Sequence, residues 1–349
     1  MSWPLAEREW LEGYAFDPRD LAIARVFFAL YLVTIADLPG LRFISELPAD
    51  LWDPPPGPLR LLAGPPSAAF VKTSLAAIEA LAALVAVGWR TRATSVALGL
   101  TIALAYGLTF ATGKINHNLV LWLTPLMLSG QWGRAWSVDA LAGRGSARTD
   151  PLPIACFALM LGFCMFSAGV PKLVGGWFDP RTSATYGHLV HNAVAAERMG
   201  YLAPLAIGVR SPLVWELSDW LTALWELSFL FAVASPRALR AFIGAAVVFH
   251  CAVLLMFNID FSANLVAYAV FVPWMLGPRE EPQPDPRRAR IWLAVGAVAA
   301  LLLVLAPAPT RLLPRAALDP RLPGAFALLV GLACLGFVVL RGLRGRAAT

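Results

Sequence analysis

The chain has 349 residues, 58% of them hydrophobic and only 14% charged, with a mean hydropathy of +0.66. Soluble globular domains carry about 25% charged residues, so this composition excludes an ordinary soluble protein and points to a polytopic membrane protein. The net charge of +6 does not indicate nucleic acid, because the arginines are scattered at the ends of apolar runs rather than gathered on one face.

The chain opens on Leu5 to Tyr14, where Leu5, Trp10, Leu11 and Tyr14 alternate with Glu7, Arg8, Glu9 and Glu12. This pattern predicts a short amphipathic helix at the membrane surface. These first twenty residues are polar and acidic, and the apolar run after them lacks a small-residue cleavage site, so no cleavable signal peptide is expected. The first span is expected over 21–38, with Arg25 and Asp37 toward its ends. A loop rich in proline follows, from Pro48 to Pro66, where regular structure is not expected. Further spans are predicted near 68–88, 93–112, 115–130, 152–170, 214–234, 239–257, 261–276, 291–307 and 324–340, giving an all-α integral membrane protein of about ten spans.

Loop charges give the orientation. The connections Trp89-Arg90-Thr91-Arg92 and Ser235-Pro236-Arg237-Ala238-Leu239-Arg240 are basic, as is the tail with Arg341, Arg344 and Arg346. With both termini cytoplasmic, all three lie inside, in accord with the positive-inside rule. The proline-rich loop and the longer loop from Lys172 to Leu213 then lie outside. The expected organisation is a membrane core over 1–277, then a cytoplasmic linker from Pro278 to Arg290, two plainer spans and the basic tail over 278–349.

Chemistry is sought among ionisable groups in or beside spans, since each costs about 2.5–3.5 kcal/mol on insertion scales and marks function or pairs with another. These are Arg25, Asp37, Glu79, His117, Asp219, Glu226 and His250, with Lys172 and Asp260 at edges. Structural pairing between helices is the competing explanation for each acid. Lys172 stands out because only three lysines, Lys72, Lys114 and Lys172, occur among 28 basic residues. An ammonium can give up a proton where a guanidinium cannot. Lys172 follows the break Gly169-Val170-Pro171, so it is expected where a span gives way to a loop. It is either a candidate base or a lysine snorkelling at the interface. His117 lies between two amides, Asn116 and Asn118, which can fix its tautomer. His250, in the run Val248-Phe249-His250-Cys251-Ala252, is expected neutral and hydrogen-bonded, and His188 and His191 are expected solvated. The four cysteines are unpaired in spacing, and no histidine pair has ligand spacing on a helix, so no metal is expected.

These stretches, taken in order, resemble the membrane portion of vitamin K-dependent γ-carboxylase, the prototype of the horizontally transferred transmembrane domain (HTTM) family. The resemblance rests on Ala24-Arg25-Val26 with Asp37-Leu38-Pro39, then Asn116-His117, then Trp136-Ser137-Val138-Asp139. It continues through Ala168-Gly169-Val170-Pro171-Lys172-Leu173 with Trp177, Glu226-Leu227-Ser228, and Phe249-His250-Cys251. It implies chemistry on a reduced naphthoquinone of the vitamin K or menaquinol type. A protein base deprotonates the quinol, dioxygen adds, and the strong base so formed takes a γ-proton from a glutamate side chain. Carbon dioxide captures the carbanion, and the quinone leaves as its epoxide. Lys172 matches the initiating base and His117 the histidine beside it. Asn116, Glu226, His250 and Arg25 match supporting, cofactor-binding positions.

The family's large β-rich capture portion has no counterpart after Gly277, which leaves carboxylation and the acceptor open. The loop around Tyr186, His188, His191 and Asn192 is the surface expected near Lys172. A non-catalytic quinone-binding or peptide-maturation partner, working with a small secreted peptide or a partner subunit, is the alternative. A transporter is weaker, since no inverted pair of broken helices is visible. The implied setting is the plasma membrane, with the site on its non-cytoplasmic side.

Overall fold

The computed structural model describes residues 3–34, 39–54, 58–108, 116–275 and 281–305. Among these residues the fold is helical throughout, without strands. The helices in chain order are α1 (Trp3–Glu12), α2 (Pro18–Thr34), α3 (Ala68–Val87), α4 (Thr91–Gly107), α5 (Asn116–Leu128) and α6 (Pro151–Val174). They continue with α7 (Ala184–Val190), α8 (Ala203–Ile207), α9 (Pro212–Ala232), α10 (Pro236–Phe257), α11 (Ser262–Tyr268) and α12 (Pro286–Leu305). Three of them, α3, α6 and α10, are long and apolar enough to cross a membrane. The helices α2 and α9 interrupt their apolar runs with buried charge: Arg19, Asp20 and Arg25 in the first, Asp219 and Glu226 in the second. The tenth expected span, at 324–340, and Asp37 lie outside the described residues.

Four expectations are corrected. Pro171 does not end the helix before Lys172, because α6 runs through it to Val174. A proline in a last turn removes only the donor that Ser167 would have received, and Lys172 resumes the ladder. The proline-rich segment is not without structure: short 3-10 turns form at Ala49–Leu51 and Pro58–Leu61, after another at Pro39–Glu46. The span expected at 261–276 is only α11 followed by a 3-10 turn, Ala269–Phe271. The loop from Lys172 to Leu213 folds into α7, a π turn at His191–Ala195, and α8.

The chain divides into two compact units. In the described residues, one comprises 14–157 and 266–305, the other 3–13 and 158–265. In the first, α3 packs against α2, α4 and α12. Gly296 of α12 lies against Val87, where a Cβ would meet the valine methyl at 2.6 Å. The backbone N–H of Asp285 donates to the Leu141 carbonyl at 2.8 Å and ties the linker down as well. Phe271 stacks on Phe157 and meets Phe16 edge-on, and the Asp20 carboxylate accepts from the Met275 backbone at 2.7 Å.

In the second unit, α6 and α9 pack closely through glycines. A Cβ on Gly162 would meet Val233 at 2.7 Å, and one on Gly169 would meet Leu227 at 2.9 Å. Small residues at such crossings let helix backbones approach in a membrane. The expected surface helix α1 forms, and it docks on the turn between α9 and α10. The Trp10 indole N–H donates to the Val233 carbonyl at 2.9 Å, and Gly13 abuts Pro236.

Candidate functional site

Lys172 lies on the last turn of α6, its side chain only 16% exposed. The close crossing at Gly169 brings α9 alongside, so Lys172 Nζ donates to Glu226 Oε2 at 2.5 Å. The Glu226 side chain is 8% exposed. A second N–H of Lys172 goes to the Ala168 carbonyl at 3.1 Å, one helical turn back. Beyond Val174 the chain reverses at Gly175 and Gly176, and Gly176 takes a left-handed φ of +80° that suits glycine. The reversal places the Trp177 ring over the ammonium, with Nζ 4.9 Å from its centroid. The amine therefore has a carboxylate, a carbonyl and an aromatic face around it.

The reversal is pinned just beyond. Asp179 accepts from the Arg181 backbone and guanidinium at 3.0 Å, and that guanidinium holds the Asp179 carboxyl below its ordinary range. The Thr182 hydroxyl donates to the Gly176 carbonyl. Asp219, fully buried on α9, accepts from the backbone N–H groups of Ala184 and Thr185 at 2.9 and 2.7 Å. It therefore fixes the start of α7 beside α9, through the first-turn donors that a helix leaves open. Tyr186 packs on Trp215 at 5.1 Å and His188 on Trp177 at 5.8 Å. The surface bearing Tyr186, His188, His191 and Asn192 is thus joined to Lys172 through one indole. His188, on α7, and His191, on the π turn, are exposed.

His250 is 3% exposed on α10. Its ring stacks on Phe261 at 4.5 Å, in a row that continues through Phe249 and Trp225. Arg25 belongs to the other unit, on α2, and is completely buried. It donates to the carbonyls of Trp132 at 2.5 Å, Trp136 at 2.6 Å and Ala135 at 3.5 Å, so its donors hold a turn of the chain. Asn116 and His117 open α5, and their side chains lie outside the described residues. Among the described residues, no three His, Cys, Asp or Glu side chains are grouped as a metal site would require.

Sequence reasoning named Lys172 and Glu226 separately and missed that they pair, being 54 residues apart. Trp177 was readable in part: two glycines just before an aromatic, five positions after a lysine, allow it to fold back. Asp219 gave no signal beyond being an acid in an apolar run.

No curated protein and no solved structure matches this chain. The model of the HTTM domain matches residues 14–274, which takes in Arg25, Asn116, His117, Lys172, Glu226 and His250. The chain is a membrane protein that belongs to the HTTM domain family.

Proposed function

We propose that the protein is a membrane enzyme that oxygenates a reduced naphthoquinone, with Lys172 and Glu226 as its proton-handling pair. The observation that carries this reading is their 2.5 Å hydrogen bond, between side chains 16% and 8% exposed. Charges withdrawn from water lose solvation, which narrows the gap between an ion pair and its neutral form. Movement of one proton from nitrogen to carboxylate oxygen leaves an uncharged amine, a workable acceptor for a phenolic proton. HTTM domains are associated with vitamin K-dependent carboxylase-like proteins, which supports the same chemistry.

The residues present suit such a quinol. An amine is available to a phenol, an indole face lies beside it, and the neighbouring Val170, Leu173 and Val174 are 41%, 52% and 89% exposed. That apolar rim suits a ligand arriving through acyl chains. When bound, the reduced quinone with dioxygen would supply the strong base of the reaction and leave as the epoxide, with carbon dioxide as co-substrate if a Glu-containing acceptor is carboxylated. The chain's own part is to take and hold a proton. Lys172 accepts it from the phenol while Glu226 holds the proton that left the amine, the Trp177 face stabilises the resulting ammonium, and the Ala168 carbonyl fixes its direction. On this reading the family resemblance gives His117 a part in the same chemistry and Asn116, His250 and Arg25 supporting parts. An acceptor peptide would meet α7, on the non-cytoplasmic side of the plasma membrane.

The test is to incubate purified protein in detergent with the hydroquinone and oxygen and to measure quinone epoxide. Epoxide is expected from the native protein and none from Lys172→Ala. Equal epoxide from both would place the base elsewhere. One observation favours a second reading, a quinone-binding or peptide-maturation partner without turnover: Glu226, Ala168 and Trp177 together surround the ammonium as they would in a structural ion pair. Quinone binding without epoxide from the native protein would select it.

A further inference from the structure

In the 14–157 unit, α5 ends and α4 and α6 begin around a cavity of about 440 Å³, lined by residues between Thr91 and Pro153. Its wall carries three guanidiniums, Arg92, Arg134 and Arg144, and two carboxylates, Asp139 and Asp150. The carboxylates are already engaged. Asp139 accepts from the Arg90 and Thr91 backbones, the Thr91 hydroxyl and Arg144, at 2.6–3.0 Å. Asp150 accepts from the Leu152 backbone at 3.1 Å, at the start of α6.

The donors are not used up. Arg144 commits one Nη to Asp139. Arg134 spends Nε and one Nη on the Gly130 and Arg148 carbonyls, leaving the other Nη. Arg92 is exposed to the cavity and makes no hydrogen bond to the described residues. Gln131 is the most telling wall residue. It is only 4% exposed, and its Oε1 accepts from the Asp150 backbone at 2.8 Å. Its amide NH2 has no partner among the described residues and is left for the cavity. A buried amide with half its hydrogen-bonding capacity open, beside three guanidiniums with N–H groups to spare, is a site for an anion with several acceptor oxygens.

We propose that this cavity binds a phosphate group. A tetrahedral phosphate offers oxygens to guanidinium forks and an amide together, as a single carboxylate does not. The volume lies within the usual range of small-ligand sites, about 300–1,000 Å³. The helix α6, whose first turn supplies Pro153 to the wall, is one of the three helices suited to cross the membrane. The cavity therefore lies at the first turn of a helix suited to span, where a headgroup phosphate would be within reach. The phosphate belongs either to an anionic phospholipid headgroup or to a free phosphate ion, and the experiment separates the two.

Native mass spectrometry of protein released from micelles doped with phosphatidylglycerol or phosphatidylcholine reads retained lipid, and thermal unfolding with inorganic phosphate reads the free ion. Three variants are compared with the native chain. Arg92→Ala removes a cation that makes no hydrogen bond among the described residues. Gln131→Glu keeps the acceptor for Asp150 and adds a repelling charge. Arg210→Ala, at an exposed site in the other unit, is the control. Preferential retention of phosphatidylglycerol by the native and Arg210→Ala proteins, falling roughly tenfold or more in the two cavity variants, identifies a headgroup site. A phosphate-dependent rise in unfolding temperature, lost in the same two variants, identifies a free-phosphate site. If the native protein and both cavity variants retain the lipids alike, and phosphate shifts none of them, the proposal is overturned.

Discussion

Two cations, Arg25 buried in one unit and Lys172 half-buried in the other, are satisfied in opposite ways. Arg25 gives its donors to backbone carbonyls of Trp132, Ala135 and Trp136. The same region holds Trp136 and Arg90 at left-handed φ of 45° and 42°, and caps α4 with the Asp139 carboxylate. The Arg25 charge is answered by main-chain carbonyls, which cannot trade protons with it. Lys172 instead meets the side chain of Glu226 across two helices, with one carbonyl and one indole to complete its surroundings. A guanidinium locked to carbonyls organises a turn, whereas an ammonium facing a carboxylate can pass a proton. What answers the charge is the difference that the proposed role of Lys172 rests on.

The most severe way to break the comparison is Arg25→Leu. It strips three carbonyls of their donor inside the fold, and a loss of about 3–5 kcal/mol is expected, read as a large fall in unfolding temperature in detergent. Native-like unfolding of that variant would remove Arg25 from its structural role. A smaller effect is expected from Gly169→Ala. The new methyl would lie 2.9 Å from Leu227 and 3.2 Å from the Glu226 Cβ, so α9 must shift at a cost of about 1–3 kcal/mol. Because the shift moves Glu226 relative to Lys172, epoxide formation should fall further than stability does. Proportionate losses of both would mean that the spacing of the pair does not matter.

The smallest effect concerns acid. Burial pushes the Asp139 carboxyl up, but the Thr91 backbone and hydroxyl together with Arg144 outweigh this and hold it below the ordinary carboxylate range. A carboxylate depressed in the folded state contributes stability above its unfolded value, about 3.9. That contribution is lost as pH falls through the lower folded value. Below about pH 4 the native protein should lose stability more steeply than Asp139→Asn, measured by thermal unfolding across a pH series. Parallel slopes would show that the α4 cap carries no such linkage.

The sequence allowed the helices to be read where apolar runs were long, as for α3, α6 and α10, because burial in lipid demands continuous helix. It misled at Pro171, where proline suggested a stop, since a final turn tolerates one missing donor. It misled again over 172–213, where the ordering agent is Asp219, reaching from α9 to the start of α7. The Lys172–Glu226 pair and the carbonyl cradle of Arg25 join residues 54 and more than 100 positions apart, and no local spacing records such contacts. What was legible was the cost of each charge in an apolar run. What answers the charge came only with the fold.

The most direct measurement is epoxide formation by Lys172→Arg, with unfolding temperature recorded on the same preparation. Arginine keeps the positive charge beside Glu226 but has no proton to release at working pH. The account expects near-native stability with epoxide lost. A Lys172→Arg protein that forms epoxide at the native rate would contradict it.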